Sequence, residues 1–401
     1  MAVNDFTPQD AYTLINAVAK QATGRENLTA IDTSSFVSVG ETLLRTGVEN
    51  TLKALSTVFA YTYFSNEKYS GKLAAVEQTS GQWGAITREI TALTQDAEAS
   101  QDWNTDLNLT QLNDGNSVDM YKINKPKVLE LKFSGTKVLQ RHITRFRDQI
   151  AQAFTSEAEF MRFYEAVMIE FRNDIETDRE SGRRATMLNY MAGLSSMGKE
   201  VDLTAEFNAK NGTKYTRNQL LTTYKKDFMA FVIARIKLDS EKLTERSAKY
   251  HANIKGYNPI MRFTRKENQR LLMLSEFWID STTQVLPWVF DDKELRIENK
   301  ELVNWWQSAD EPSAIQITPS ILDVSTGHAK KADTEVNLPY VLGVLYDRRA
   351  MGVQYQFDYA DTTPFNSAGG YWNMYVHSRK NYWNNYTHNG ILYVMGEENN
   401  Q

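Results

Sequence analysis

Residues Ser156–Ile175 read SEAEFMRFYEAVMIEFRNDI. Phe160, Phe163, Tyr164, Val167, Met168, Phe171 and Ile175 fall at i, i+3, i+4, i+7, i+8, i+11 and i+15. That spacing draws one apolar stripe along a helix, while Arg162, Glu165, Glu170, Arg172 and Asp174 take the opposite face. Ser156, with Glu159 three residues on, forms a capping box that satisfies backbone N–H groups at the helix start. The pattern predicts a long helix lying on a sheet, which the polar run Asp178–Arg184 either continues or ends.

Upstream, Lys127–Phe133 alternates charged and apolar residues and reads as a strand. The preceding stretch, 66–126, is polar, carries Gly71, Gly81, Gly84 and Gly115, and has too few large apolar side chains to build a core. Structureless loops beyond about 12–15 residues are uncommon, so this stretch is expected to be an extended excursion that leaves the body and returns. The β-favouring run Val58–Phe64 brackets it on the other side. The simplest geometry pairs 58–64 with 127–133 at the base of a two-stranded projection. Earlier still, helical spacing predicts a short helix over 9–22 and a second over about 38–58.

Downstream, 217–250 reads as helical on Leu220, Leu221, Tyr224, Phe228, Phe231, Val232 and Ile236. Ile260–Phe263 and Leu271–Leu274 read as strands, Thr264 with Glu267 as a capping box, and 276–290 as a helix. Val341–Tyr346 and Val353–Phe357 are expected as strands around a turn at Asp347–Gly352. Asn389-Gly390 is a hairpin signal, and Ile391–Met395 after it requires burial on both faces. Between them, Tyr-Trp-Asn-x-Tyr occurs twice, at Tyr371 and Tyr382. Trp372, Tyr375, Trp383 and Tyr386, with Asn373, Asn384 and Asn385, have the chemistry to stack on sugars or bases. The same residues read as a strand in which Trp372, Met374 and Val376 share one face and Tyr371, Asn373 and Tyr375 the other. The strand is the reading we adopt.

The 401 residues suit two or three lobes, and 41% apolar with 24% charged residues is ordinary for a folded chain. Cysteine is absent, which excludes disulfides, thiolate catalysis and cysteine-ligated metals and suits a reducing compartment. Met1–Phe6 has no signal-peptide character, and no apolar run approaches the ~20 residues of a membrane span. A net charge of −5 argues against holding nucleic acid by charge, although such a chain can stand beside DNA without adhering to it.

The five histidines, at 142, 251, 328, 377 and 388, form no His-x-x-x-His pattern. Ser70-Gly71-Lys72 lacks the upstream glycine of a phosphate loop, and Gly193–Met197 lacks the last glycine of a nucleophile elbow. Asp102-x-Asn104-x-Asp106-x-Asn108 resembles a calcium loop, but Leu107 and Asn113 stand where glycine and glutamate are needed. Asp291-Asp292 and Glu397-Glu398 read as surface charge. No catalytic, cofactor or metal site is expected.

The order of elements resembles the major capsid proteins of tailed bacteriophages, with the Johnson (Hong Kong 97-type) fold, and is most like those of short-tailed phages. Val39–Phe64 is similar to the segment leading into that family's E-loop, and Ser156–Met191 to its spine helix. Leu342–Val353 (LGVLYDRRAMGV) is similar to its recurrent apolar strand followed by Asp, basic residue, Ala and Gly, and Gly370–Met395 to its closing peripheral strands.

The resemblance implies an α+β capsid subunit. Residues 1–37 would be an N-terminal arm and 66–126 the E-loop. Residues 38–65, 127–199 and 358–401 would form a peripheral domain with its spine helix at about 156–191, and 200–357 an axial domain. It implies an icosahedral shell of hexamers and pentamers around double-stranded DNA, located in the virion and assembled in the host bacterial cytoplasm. Implied partners beyond the chain itself are a scaffolding protein, a portal and a decoration protein, with no membrane, no cofactor and no catalysis. The alternatives are a carbohydrate- or receptor-binding protein built on the aromatic doublet, or a compartment-forming shell of the same fold.

Overall fold

The computed structural model describes residues 8–24, 29–46, 72–78, 87–93, 120–121, 123, 125, 127–133, 135–146, 157–284 and 299–397. In chain order come α1 (Pro8–Thr23), α2 (Thr33–Thr46), β1 (Thr87–Ala92), β2 (Val128–Phe133), β3 (Gly135–Phe146) and α3 (Glu157–Ser196). Then follow β4 (Glu200–Asp202), α4 (Leu203–Asn211), α5 (Arg217–Leu221), α6 (Lys225–Lys242), β5 (Gln269–Leu274) and α7 (Ser275–Gln284). The remaining strands are β6 (Lys300–Val303), β7 (Ile315–Ile317), β8 (Ser320–Leu322), β9 (Ala329–Lys331), β10 (Val336–Leu338), β11 (Val341–Asp347), β12 (Met351–Thr362), β13 (Tyr371–Asn384) and β14 (Gly390–Val394). Contacts divide the chain into two units. The first takes Met1–Ala85, Gly135–Arg183 and Val353–Tyr382, and the second Ile86–Ser134, Arg184–Gly352 and Trp383–Gln401. β1 and β2 count with the second unit.

In the first unit, Ile15, Val18 and Ala19 of α1 and Phe36, Val39 and Leu43 of α2 are buried where the two helices pack. Asp32 accepts from the Ser35 N–H at 2.7 Å and so starts α2 at Thr33, ahead of the expected 38. Residues 47–58 lie outside the described residues.

The three-stranded sheet runs β12-β13-β3. Trp372, Met374 and Val376 are buried on one of its faces, as their alternation predicts. Ile175 of α3 packs on Met374 and Val376, with Ile143 of β3 alongside, so the long helix does lie on a sheet. Ser156 and the side chains of 157–172, including Phe163, Val167, Phe171 and Arg172, lie outside the described residues. The polar run 178–184 continues the helix because its charges find partners. Asp178 receives Arg141 of β3 at 2.5 and 3.0 Å, and buried Arg183 pairs with Glu77 at 2.8 Å and Glu176 at 3.2 Å.

The second unit centres on a five-stranded sheet, β4-β14-β11-β5-β6. Every residue of β11 and of β14 is buried, which accounts for their unbroken apolar runs. At Gly343 a Cβ would stand 2.4 Å from the Leu272 carbonyl, so the neighbouring strand's backbone admits only glycine there. Phe207, Phe228, Val232, Ile236 and Phe277, from α4, α6 and α7, cover Leu271, Met273, Leu345, Ile391 and Tyr393. Asp202 caps α4 through Thr204 and Ala205, and Thr216 with Gln219 makes a capping box for α5.

Several expectations require correction. Residues 217–250 form two helices ending at Lys242, not one. Ile260–Phe263 is no strand and makes a single bridge, Ser247 to Arg262. Thr264 does not cap a helix; its buried hydroxyl donates to Asp347 at 2.9 Å, and only a short turn follows at Lys266–Asn268. The two strands expected around the turn at Asp347–Gly352 do form, as β11 and β12, and the turn carries the chain from one sheet into another. Asn389-Gly390 likewise joins strands of different sheets, with Asn389 buried. Within 66–126, Leu73, Val76 and Leu93 are core residues. The strand expected at 127–133 is β2, which pairs with β1, antiparallel from Thr87↔Phe133 to Ala92↔Val128; its expected pairing with 58–64 lies outside the described residues.

Candidate functional site

β1 and β2 make a two-stranded ribbon with two unlike faces. Arg88, Ile90, Ala92, Val128, Glu130 and Lys132 are exposed, Ile90 at 70% and Val128 at 54%. Glu89, Thr91, Leu129, Leu131 and Phe133 form the covered face and are each only half buried. Strand alternation alone sorts these residues.

Glu89 anchors the covered face. Arg262 Nη2 donates to its Oε1 at 2.9 Å and His388 Nε2 lies 2.8 and 3.0 Å from its two oxygens. The Asn385 amide also donates to Oε2, and Arg262 Nη2 reaches Thr91 Oγ1 at 3.0 Å. Burial by itself pushes the Glu89 carboxyl up, but the hydrogen bond and charge of His388 and the charge of Arg262 outweigh it and hold the group at about 2.

The receptacle is built without Glu89. Arg262 Nε donates to the Thr387 carbonyl at 3.2 Å, and Asn385 Oδ1 accepts from the Thr387 N–H at 3.0 Å and hydroxyl at 2.7 Å. Behind it a second network closes the Asp347 turn. Asp347 accepts from Thr264 Oγ1 and from Arg349 N, Nε and Nη2, at 2.9 to 3.1 Å. Asn389 donates to Thr264 and receives His251 Nδ1 at 2.9 Å. Burial lowers the His251 pKa, against the hydrogen bonds to Asn389 and Ile260.

Sequence reasoning singled out Asp347, Arg348 and Arg349 as a motif and Asn385 as a polar neighbour of the aromatic doublet, but assigned no role to Glu89, Arg262 or His388. No local pattern groups them: Arg262 stands in a strand-like stretch, Glu89 in the polar excursion and His388 beside the Asn389-Gly390 turn signal.

The aromatic doublet does not form one platform. Trp372 is buried in β13 beside Phe365, at 4.4 Å between ring centroids. Tyr386 is buried in the second unit, stacked on Tyr190 at 5.5 Å, with its hydroxyl bonded to Asn189 and Ser320. Tyr375 remains half exposed between His142 and His377.

Asp102–Asn108 and Asp291-Asp292 lie outside the described residues, and Glu397 is exposed. Among the described residues, no group of three or more His, Asp or Glu side chains is placed to hold a metal ion, and no helix is long and apolar enough to cross a membrane.

The backbone has relatives among solved phage structures. It is similar to a chain in the capsid structure of Staphylococcus phage Andhra, with TM-score 0.52 and 11% identity over 82% of this chain and 88% of that one. It is equally similar to a chain in the structure of the head fiber and inner core protein gp22 of native bacteriophage P68, with TM-score 0.52 and 12% identity over 80% and 83%. Among curated proteins none matches.

The family model of the Phi29-like phage major capsid protein matches residues 15–394, and the chain belongs to that family. The α+β architecture is therefore the Johnson fold, and the protein is a shell-forming component of the virion capsid.

Proposed function

We propose that this subunit assembles with copies of itself into hexamers and pentamers of an icosahedral shell that encloses double-stranded DNA. It reads no DNA sequence and has no catalytic activity. Residues 1–37 act as an arm, and 66–126, which include β1, as the E-loop overlapping a neighbour. Residues 38–65, 127–199 and 358–401 form the peripheral domain, and 200–357 line capsomer centres. Assembly proceeds in the host bacterial cytoplasm with a scaffolding protein and a portal, and a decoration protein joins the finished shell.

The observation that carries this reading is the exposed face of the ribbon in a chain of a capsid family. Ile90 and Val128 stand in solvent, and a second subunit would cover them. Obligate contacts of this kind bury about 2,000–5,000 Å² in total.

Negative-stain microscopy of the purified protein, with and without scaffold, tests the proposal. Closed shells or capsomers are expected. Replacing 95–118 with a short Gly-Ser turn should leave a folded, soluble subunit that closes no shell. Discrete monomers at high concentration, or normal shells from the shortened chain, would overturn it.

A further inference from the structure

The ribbon's attachment differs from that of two inner strands of the five-stranded sheet. β11 and β14 are held by continuous apolar burial. The covered face of the ribbon buries none of its residues fully, and Glu89 is the only charged side chain on it among the described residues. That one carboxylate takes three side-chain donors, from Arg262, His388 and Asn385.

Those donors stand on two separate pieces of the body. Arg262 is fixed by its backbone bridge to Ser247 and by its bond to Thr387. Asn385 and His388 sit on the connection from β13 to β14, where the Asn385 N–H is tied to the Ala350 carbonyl at 2.6 Å. Arg349 and Asp347 bring the remaining nearby charges, which compensate each other through their own pair at 3.1 Å. The receptacle is therefore shaped in advance, and the ribbon supplies the one group that fills it.

We propose that Glu89 is the pin of a strap: inserted between Arg262, His388 and Asn385 it docks the β1–β2 ribbon on its own subunit, and its withdrawal frees the ribbon while the body stays folded. The physical basis is the type of contact involved. A contact made of apolar area loosens by degrees, whereas a carboxylate in a closed ring of donors is either seated or out. A strap of this kind lets one subunit present its ribbon in a defined orientation, or release it, without repacking a core. The inference rests on the assembly reading only for its use, not for its existence.

Hydrogen exchange of the full-length unassembled subunit tests it. In Glu89→Gln the amides of 88–92 and 128–132 should exchange about tenfold faster or more, as expected for loss of charge-assisted hydrogen bonds. Amides of β5, β11 and β14 should keep wild-type protection. Arg262→Gln should do the same, and Glu130→Gln, a carboxylate on the exposed face, should change nothing. Unchanged ribbon exchange in Glu89→Gln would overturn the proposal. So would an insoluble or globally deprotected Glu89→Gln subunit, because Glu89 would then hold the whole unit and not a strap. Failure of the wild-type protein to form shells would refute the assembly reading and leave this result standing.

Discussion

Glu89 and His388 are 299 residues apart in the chain and 2.8 Å apart in the structure. The contact ties the two-stranded ribbon to the connection that leads into the last strand of the central sheet. It is sheltered and completed by Arg262 and Asn385, so its strength depends on the ionisation of the Glu89 carboxyl.

That dependence has a definite sign. Folding lowers the Glu89 pKa from an ordinary 4.5 to about 2. A lowered carboxyl stabilises the folded state fully above its unfolded pKa, and the contribution is lost as pH falls from about 4.5 toward 2. Protection of the ribbon amides 88–92 and 128–132 in the wild type, corrected for the intrinsic pH dependence of exchange, should fall between pH 6, 4 and 3, with about 2 kcal/mol of the loss traceable to this group. In Glu89→Gln that part of the pH dependence should vanish. Parallel curves for the two proteins would show that Glu89 does not titrate in this window.

Gly390 begins β14 beneath Tyr190. A Cβ there would stand 2.2 Å from the tyrosine hydroxyl and 3.2 Å from Leu194 Cδ1. The ring cannot swing aside, because it lies against Tyr346 and Tyr386. Gly390→Ala should therefore destabilise the subunit by about 1–3 kcal/mol, read from chemical denaturation. A neutral or stabilising effect would mean the tyrosine cluster is looser than its stacking indicates.

The face of α3 is tested at its described end. Ile175 is buried on Met374 and Val376, while its neighbour Asp174 is 52% exposed and pairs with Arg141. Ile175→Ala should cost about 2–5 kcal/mol through the cavity it leaves. Asp174→Ala removes an exposed ion pair and should cost no more than about 1 kcal/mol. Equal losses of soluble protein in the two variants would contradict the assigned face.

Asp347 closes the turn between the two sheets. Its carboxylate is 1% exposed, and burial pushes its pKa up, but Arg349 and the charge of His388 more than offset this and lower it. Asp347→Ala leaves the Thr264 hydroxyl and the Arg349 N–H without their acceptor, for an expected loss of about 3 kcal/mol in thermal or denaturant unfolding. Asp347→Asn retains an acceptor oxygen and should lose less. If both variants matched wild type, the turn would be held by its backbone alone.

What the sequence by itself determined was local and periodic. The stripe through Ile175 specified the long helix, because 3.6-residue spacing is written into neighbouring residues. The unbroken apolar run of β11 specified a strand buried on both faces, and the alternation of Trp372, Met374 and Val376 chose the covered face of β13. The order of these elements sufficed to suggest the capsid fold.

Only the tertiary structure decided what each polar or turn residue was for. Asn389-Gly390 has the chemistry of a hairpin and Thr264 that of a helix cap, yet both are buried around Asp347. β2 alternates as predicted, but its partner is β1. Glu89 looks like any strand carboxylate until Arg262 and His388 are brought against it from 173 and 299 residues away. The physical reason is that a periodic pattern records which face of an element is dry, whereas a hydrogen bond records which atoms meet. Atoms distant in the chain meet only after the chain has folded.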